Sequence, residues 1–356
     1  MRLRTITTTA TAAVLLTAGI LAGAAPASAA GVVGETTTPL ALPGHADMLA
    51  HPSLGAVYIA GGDNIVVTNA VGTPVRTIAR QTGVSGLALS PNGRRLYAAL
   101  RSANAISVIN TATNREMRRF PVGDACPGDV AWAVGRVWFS SSCTEGYDGS
   151  VNALDPQTGA VTTYATGLPT AQGVPLLAVS DREGWGVRLI AAARDLSGSE
   201  LRVYDITTGA PDPMCWGPGP CEARVRGIVQ DLAVTASGAD LVLASQATLH
   251  PQLSILGLAE IDTYPTGPQP SAAAVAADGR LALGSKGPRS ADLDLFGYTE
   301  HSDQPDWTHD FGNRETDTND LAPRGLAWSP DGTRLYAVVT AADGTRPVLH
   351  VLLVQP

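Results

Sequence analysis

The stretch LALSPNGRRLYAAL at residues 87–100 reappears as LAWSPDGTRLYAVV at residues 326–339. Asn-Gly and Asp-Gly between apolar runs are strong hairpin signals, because tight hairpin turns need a positive φ. Each stretch therefore predicts two antiparallel strands joined by a tight turn. A phrase that returns almost a whole chain later indicates a repeat architecture.

Residues 86–122 contain one complete repeat unit. Four short predicted strands follow one another there, separated by turn residues: GLALS, RLYAAL, ISVIN and REMRRFPV. Four short strands in about 40 residues is the size of one blade of a β-propeller.

The same template divides the rest of the chain into seven units. Its first hairpin turn falls near Gly55, Gly93, Gly135, Gly184, Gly238, Gly279 and Gly332. We therefore predict an all-β, seven-bladed β-propeller of four-stranded antiparallel blades, forming a single domain over residues 30–356. The last unit runs out after its third strand, so residues 31–42 are expected to complete it and cover an exposed edge.

The segment SPNGRRLYAALRSANAISVINTATNREMRRFPVG (90–123) resembles the YVTN-type β-propeller repeat of exported and surface-layer bacterial proteins. The second and seventh units match its SPDG turn and its R-L-Y strand, and the third to sixth match only in outline. The resemblance implies the propeller fold and says little about function, since the motif consists of turn and packing residues.

Several motif residues are interpreted as structural. Asn92 and Asp331 precede glycine and are assigned to turns. Tyr97 and Tyr336 are expected to pack against a neighbouring blade, and Trp132 and Trp328 are assigned to the core.

The first 29 residues have the pattern of a secretory signal peptide. Arg2 and Arg4 precede an apolar run at residues 12–25, and Ala27-Ser28-Ala29 forms a small-residue cleavage site. No later stretch approaches the roughly 20 apolar residues that a membrane helix needs. We therefore expect a secreted, extracellular protein without a membrane span.

The charge argues against nucleic acid as a partner. The formal net charge is −8 with a single lysine, Lys286, and the sequence shows no basic run, whereas nucleic-acid binding needs a positive footprint. A protein, a glycan or a small polar ligand is the expected partner, and the protein is expected to be a monomer.

The four cysteines form two local pairs, Cys126 with Cys143 and Cys215 with Cys221. An exported protein favours two disulfides. Local pairing is the preferred one of three connectivities, and the other two stay open.

No common catalytic string is present: the chain lacks G-x-S-x-G, H-E-x-x-H, a Walker loop and G-x-G-x-x-G. His301 and His309 lie in an acidic insertion at 299–320, but its spacing matches no 12-residue Ca²⁺ loop. A solvated loop is the default interpretation there. No cofactor is expected, although a divalent cation stays open.

Function is expected at the loops that surround one end of the channel. These loops join second to third strands or connect successive blades, and they also contain Asp129 and Lys286. A ring of arginines and carboxylates there could hold a polar or anionic ligand, although loops are also polar simply because they meet water. The candidate ligand-binding residues are His45, Asp63, Arg101, Glu145, Tyr147, Arg194, Arg226, His250, Arg289 and Arg324.

The sequence leaves three functions open. The first is a secreted binding or interaction scaffold, which is more consistent with the missing catalytic strings than an enzyme is. The alternative is a metal-assisted enzyme similar to propeller lactonases or lyases, with its site at the central channel. The third is a display module that presents the long loops.

Overall fold

A computed structural model describes residues 31–144, 146–195, 198–213, 222–246, 249–287, 290–297, 304–312 and 319–355. Several sequence-based assignments lie outside these residues: the signal peptide at 1–29, the Cys215–Cys221 pair, Glu145, Arg289 and His301. No helix among the described residues has the length and apolar character needed to cross a membrane.

Seven antiparallel sheets form a ring, as the repeat predicted. Blades 1 to 3 contain four strands each. Blade 1 comprises β2 (Asp47–Ala50), β3 (Val57–Gly61), β4 (Asn64–Thr68) and β5 (Pro74–Ile78). Blade 2 comprises β6 (Val84–Leu89), β7 (Arg95–Leu100), β8 (Ala105–Asn110) and β9 (Arg115–Pro121). Blade 3 comprises β10 (Pro127–Ala133), β11 (Arg136–Ser141), β12 (Gly149–Leu154) and β13 (Val161–Leu168).

Blades 4 to 6 continue the ring. Blade 4 comprises β14 (Leu176–Arg182), β15 (Gly186–Ala193), β16 (Ser199–Asp205) and two short outer strands, β17 (Asp212–Pro213) and β18 (Glu222–Val225). Blade 5 comprises β19 (Val229–Val234), β20 (Asp240–Ser245), β21 (His250–Ser254) and β22 (Glu260–Tyr264). Blade 6 comprises β23 (Pro270–Val275), β24 (Leu281–Ser285), β25 (Leu293–Phe296) and β26 (Trp307–His309).

Blade 7 joins the two ends of the chain. It comprises β27 (Asn319–Trp328), β28 (Arg334–Ala341), β29 (Val348–Gln355) and, as its outer strand, β1 (Gly31–Pro39). The predicted closure by the N-terminal segment is therefore confirmed. The Glu35 carboxylate on β1 reinforces it, because Oε1 lies 2.5 Å from His350 Nδ1 and Oε2 lies 3.4 Å from His309 Nε2.

The apolar core lies between the blades. Seven clusters of buried side chains occur among the described residues, and each combines strands of two neighbouring blades. Tyr97 is fully buried and stacks on Trp132 of blade 3 with 5.1 Å between ring centroids. Tyr336 donates to the Ala70 carbonyl of blade 1 at 3.1 Å. These tyrosines therefore join adjacent blades, as the sequence predicted.

The repeated phrase forms a self-contained turn. In blade 2, the Ser90 hydroxyl donates to Asn92 Oδ1 at 2.8 Å and accepts from the Arg95 N–H at 3.0 Å. Ser329, Asp331 and Arg334 repeat these contacts in blade 7. All seven predicted turn glycines have φ between 59° and 92°, which explains why glycine recurs there.

A disulfide joins Cys126 to Cys143, with 5.1 Å between the Cα atoms. It links the loop before β10 to the loop after β11. The sequence predicted this pair, because both cysteines flank one hairpin.

We expect the turn glycine of blade 2 to tolerate alanine less well than that of blade 3. A Cβ at Gly93 would lie 2.8 Å from His51 Cε1, whereas a Cβ at Gly135 meets nothing within 4 Å. His51 is unable to retreat, because Nε2 donates to the Gly93 carbonyl and Nδ1 accepts two backbone N–H groups.

Both glycines have positive φ, so Gly135→Ala measures backbone strain alone, about 1–2 kcal/mol. Gly93→Ala should cost at least about 1 kcal/mol more, because it adds the collision. Urea unfolding of both variants checks this. Equal losses would show that His51 does not constrain the turn.

Candidate binding site at the channel mouth

Three inner strands carry a buried carboxylate at the same place. Asp47, Asp129 and Asp231 lie on β2, β10 and β19, the inner strands of blades 1, 3 and 5. One oxygen of each carboxylate accepts the N–H of the next residue, at 2.8–2.9 Å. The second oxygen accepts an N–H from the inner strand of the following blade.

These second bonds join the blades in pairs. Asp47 accepts from Leu87 at 2.6 Å, Asp129 from Leu177 at 2.8 Å and Asp231 from Ala273 at 3.0 Å. The three carboxylates therefore connect blade 1 to blade 2, blade 3 to blade 4 and blade 5 to blade 6. They surround the end of the channel where the inner strands begin, which we call the channel mouth.

Arg324 of blade 7 lies among these carboxylates. Its Nη2 is 2.9 Å from Asp47 Oδ2 and 2.8 Å from Asp129 Oδ1, and Nη1 donates to the Ser85 carbonyl at 3.3 Å. One side chain thus contacts blades 1, 2 and 3 from blade 7. Its backbone has a φ of 58° within an irregularity of β27 between Leu321 and Leu326.

The cluster shifts the pKa of its members in opposite directions. Burial raises the pKa of Asp47 and of Asp231 to about 7, although attraction to Arg324 opposes the shift. Burial lowers the pKa of Arg324, but the carboxylates of Asp129, Asp47 and Asp231 outweigh it and raise that pKa above its usual value. The guanidinium therefore stays charged.

His45 and Arg194 are near enough to Arg324 for its charge to lower their pKa values. Burial and then repulsion by Arg324 lower the pKa of His45 to about 3, so its ring is neutral near pH 7. Both ring nitrogens are buried and neither makes a well-formed hydrogen bond to a described residue, although the Pro323 carbonyl is close enough to oppose the fall in pKa. Such an unsatisfied ring costs about 1–3 kcal/mol.

Arg194 is a cation without a described carboxylate partner. Nε donates to the Val229 carbonyl at 3.0 Å and Nη2 donates to Gln230 Oε1 at 3.1 Å. Burial and then repulsion by Arg324 lower its pKa, and Asp129 opposes this. An anionic group beside Arg194 would favour the charged guanidinium and so oppose both the effect of burial and the repulsion by Arg324.

The remaining candidates do not join this cluster. Asp63 accepts the Gly83 N–H at 2.9 Å, which fixes the connection between blades 1 and 2. Arg101 is half-buried and donates to the Cys126 carbonyl at 3.3 Å. Tyr147 and Arg226 are exposed.

His250 connects blades 5 and 6. It is fully buried, Nδ1 lies 2.8 Å from the Thr266 hydroxyl and Nε2 lies 3.2 Å from the Ala272 carbonyl. Burial lowers the pKa of His250 to about 4. Both ring nitrogens are engaged, so His250 is left out of the candidate site.

Among the described residues, no three His, Cys, Asp or Glu side chains are grouped so that they could hold a metal ion. The oxygens of the axial carboxylates accept backbone N–H groups, and Arg324 contacts two of these carboxylates and attracts the third. The arrangement suits recognition of an anionic group by His45 and Arg194.

The fold is shared widely among solved structures. The protein is similar to a chain in the structure of Kuenenia stuttgartiensis hydrazine synthase, with 14% identity and a TM-score of 0.63. The similarity covers 88% of this chain and 100% of that chain. It is also similar to the RRP9 WD40 repeats, with 13% identity and a TM-score of 0.66, over 90% of this chain and 97% of that one. No family model and no curated protein matches the sequence.

The chain is therefore a seven-bladed β-propeller, and its channel mouth contains one arginine and three carboxylates. At such low identities these similarities establish the fold alone. A fold does not define a function, so the function is argued from the site.

The raised pKa values predict that stability falls as the pH rises from about 4 to about 7. The folded state holds protons on Asp47 and Asp231 up to about pH 7, whereas the unfolded chain releases them near the ordinary carboxyl pKa of 3.8. The free energy of unfolding should therefore decrease over this range, by at most about 4 kcal/mol for each carboxylate.

Urea unfolding at several pH values measures this dependence. Asp231→Asn keeps a neutral group at that position and should flatten the profile. Asp63→Asn alters an exposed carboxylate and should leave the slope unchanged. An Asp231→Asn profile as steep as the wild-type one would contradict the assignment.

Proposed function

We propose that this protein is an extracellular binding scaffold of the YVTN-repeat type that binds a ligand or partner through an anionic group at the channel mouth. The observation that carries the proposal is the pair formed by His45 and Arg194. His45 has a buried imidazole without a well-formed hydrogen bond to a described residue, and Arg194 has a guanidinium without an ion pair to a described carboxylate. Both are close enough to Arg324 for their pKa values to respond to it.

The chemistry of this pair defines what would bind. A neutral imidazole offers one donor and one acceptor, and a guanidinium binds a carboxylate with charge-assisted hydrogen bonds. A ligand that carries a carboxylate beside a hydroxyl or amide group would satisfy both. A small hydroxy acid, an acidic sugar and an acidic peptide segment all fit this description.

Two features support an extracellular location. Residues 1–29 have the composition of a secretory signal peptide. The Cys126–Cys143 disulfide is compatible with an oxidising compartment.

The enzyme alternative gains no specific support. A lactonase-like propeller would use axial carboxylates to hold a metal. In this protein Arg324 contacts two of these carboxylates and attracts the third.

We expect a panel of small anions to identify the ligand class. Acetate, succinate, citrate, glucuronate and phosphate would be titrated while the NMR signals of the His45 ring are followed. At least one compound should shift these signals saturably. Arg194→Gln should weaken that binding about tenfold or more, because a hydrogen bond to a charged group contributes about 1.5–3 kcal/mol.

Arg226→Gln is the matched control. It removes one positive charge from an exposed arginine of the same face and should change the affinity less than twofold. The proposal is wrong if no anion perturbs His45, or if the two variants weaken binding equally.

A further inference from the structure

Positive charge is concentrated in one part of this acidic chain. Residues 64–123 contain eight arginines and a single carboxylate, Glu116. The rest of the chain from residue 30 onward contains fourteen cationic side chains and thirty-one carboxylates. The two parts thus carry formal charges of +7 and −17.

Six of these arginines are exposed on blades 1 and 2, on or beside the outer strands. We call this surface the arginine rim. It comprises β5, the connection that follows it, the outer strand β9 and the start of β7. Its members are Arg76, Arg80, Arg95, Arg115, Arg118 and Arg119.

Strand register explains the grouping. Arg95 of β7 and Arg115 of β9 both lie opposite Asn110 of β8, which aligns them in one row across the blade. Arg119 Nη2 donates to the Arg80 carbonyl at 2.7 Å, so the connection after β5 lies against β9. The arginines are scattered along the sequence, which is why no basic run is visible there.

The rim is exposed and poorly neutralised. All six residues are exposed, and only Arg119 makes an ion pair with a described carboxylate, to Glu116 at 2.7 Å. Arg118 lies over the Phe120 ring at 4.1 Å. Repulsion among neighbouring cations is relieved when a polyanion covers them.

The outer strands of the other blades are not rich in arginine. β13 has no charged residue, and β22 carries Glu260 and Asp262. The positive rim is therefore specific to blades 1 and 2, and a negative rim occurs on blade 5.

We infer that the arginine rim binds an acidic polysaccharide whose carboxylate or sulfate groups pair with the guanidinium groups. Arginine binds such oxyanions in a bidentate manner. The exposed apolar side chains nearby are the aliphatic Val71, Val75 and Met117. This surface lacks the buried aromatic anchors typical of protein interfaces.

The aromatic residues also argue against single-stranded nucleic acid, which is bound by stacking. The large exposed aromatic side chains among the described residues are Tyr147 and Trp185, in blades 3 and 4. A flexible chain of repeated negative charges fits this exposed, predominantly cationic surface, because its binding depends mainly on ion pairing.

Affinity measurements on the intact secreted protein test this inference. The probes are heparin for sulfate groups and polygalacturonate for carboxylate groups. At least one should bind with an affinity that falls steeply with salt, because binding releases counterions. The double variant Arg76→Gln/Arg115→Gln should weaken binding at least tenfold and reduce the salt dependence.

The double variant Arg226→Gln/Arg346→Gln is the matched control. It removes two exposed, unpaired arginines outside the rim and should change affinity less than twofold. Thermal melting of both double variants would verify folding. All four positions are exposed, so we expect wild-type melting temperatures.

Three results would overturn the inference. The first is equal weakening in the two double variants, or no salt-dependent binding of either polysaccharide. The second is tighter binding of a duplex oligonucleotide than of either polysaccharide. The third is salt-sensitive self-association in sedimentation velocity that the rim variant abolishes, which would identify the acidic rim of a second copy as the occupant. None of these measurements depends on His45 or Arg194, so the proposal for the channel mouth is tested separately.

Discussion

Seven inner strands meet around one axis, and the polar groups at their ends need partners away from bulk water. Carboxylates on blades 1, 3 and 5 solve this by accepting N–H groups from blades 2, 4 and 6. Seven is odd, so blade 7 has no place in this pairing. It contributes Arg324 instead, which contacts Asp47 and Asp129 and attracts Asp231. One side chain of blade 7 is thereby linked to the carboxylates that join the other six blades in pairs.

The blades were predictable from sequence because their signals are local. The turn formed by Ser90, Asn92 and Gly93 is held by hydrogen bonds within five residues, so a short motif is enough to define it. The blades without the full motif could still be counted, since each keeps one glycine with positive φ. Closure by β1 was predictable because the last unit lacked a fourth strand.

The channel mouth and the arginine rim were harder to predict from the sequence. Asp47 and Asp231 were missed as members of the site, because each is a single carboxylate in an apolar strand. A signal was nevertheless present in the repeated pattern of Asp before an apolar residue at the start of alternate blades: ADML, GDVA and QDLA. His45, Arg194 and Arg324 were named, but only the fold shows that they lie together whereas Asp63 and His250 serve other contacts.

Closure of blade 7 has a consequence for how this chain folds. The pairing of β1 with β29 joins residues more than 300 positions apart. Such long-range contacts form slowly, because the entropy of closing the loop is lost before the contacts compensate. The ring therefore stays open until the last strand is available. A chain that passes through a secretion channel before folding would benefit from this delay, since its final contact waits until both ends have emerged.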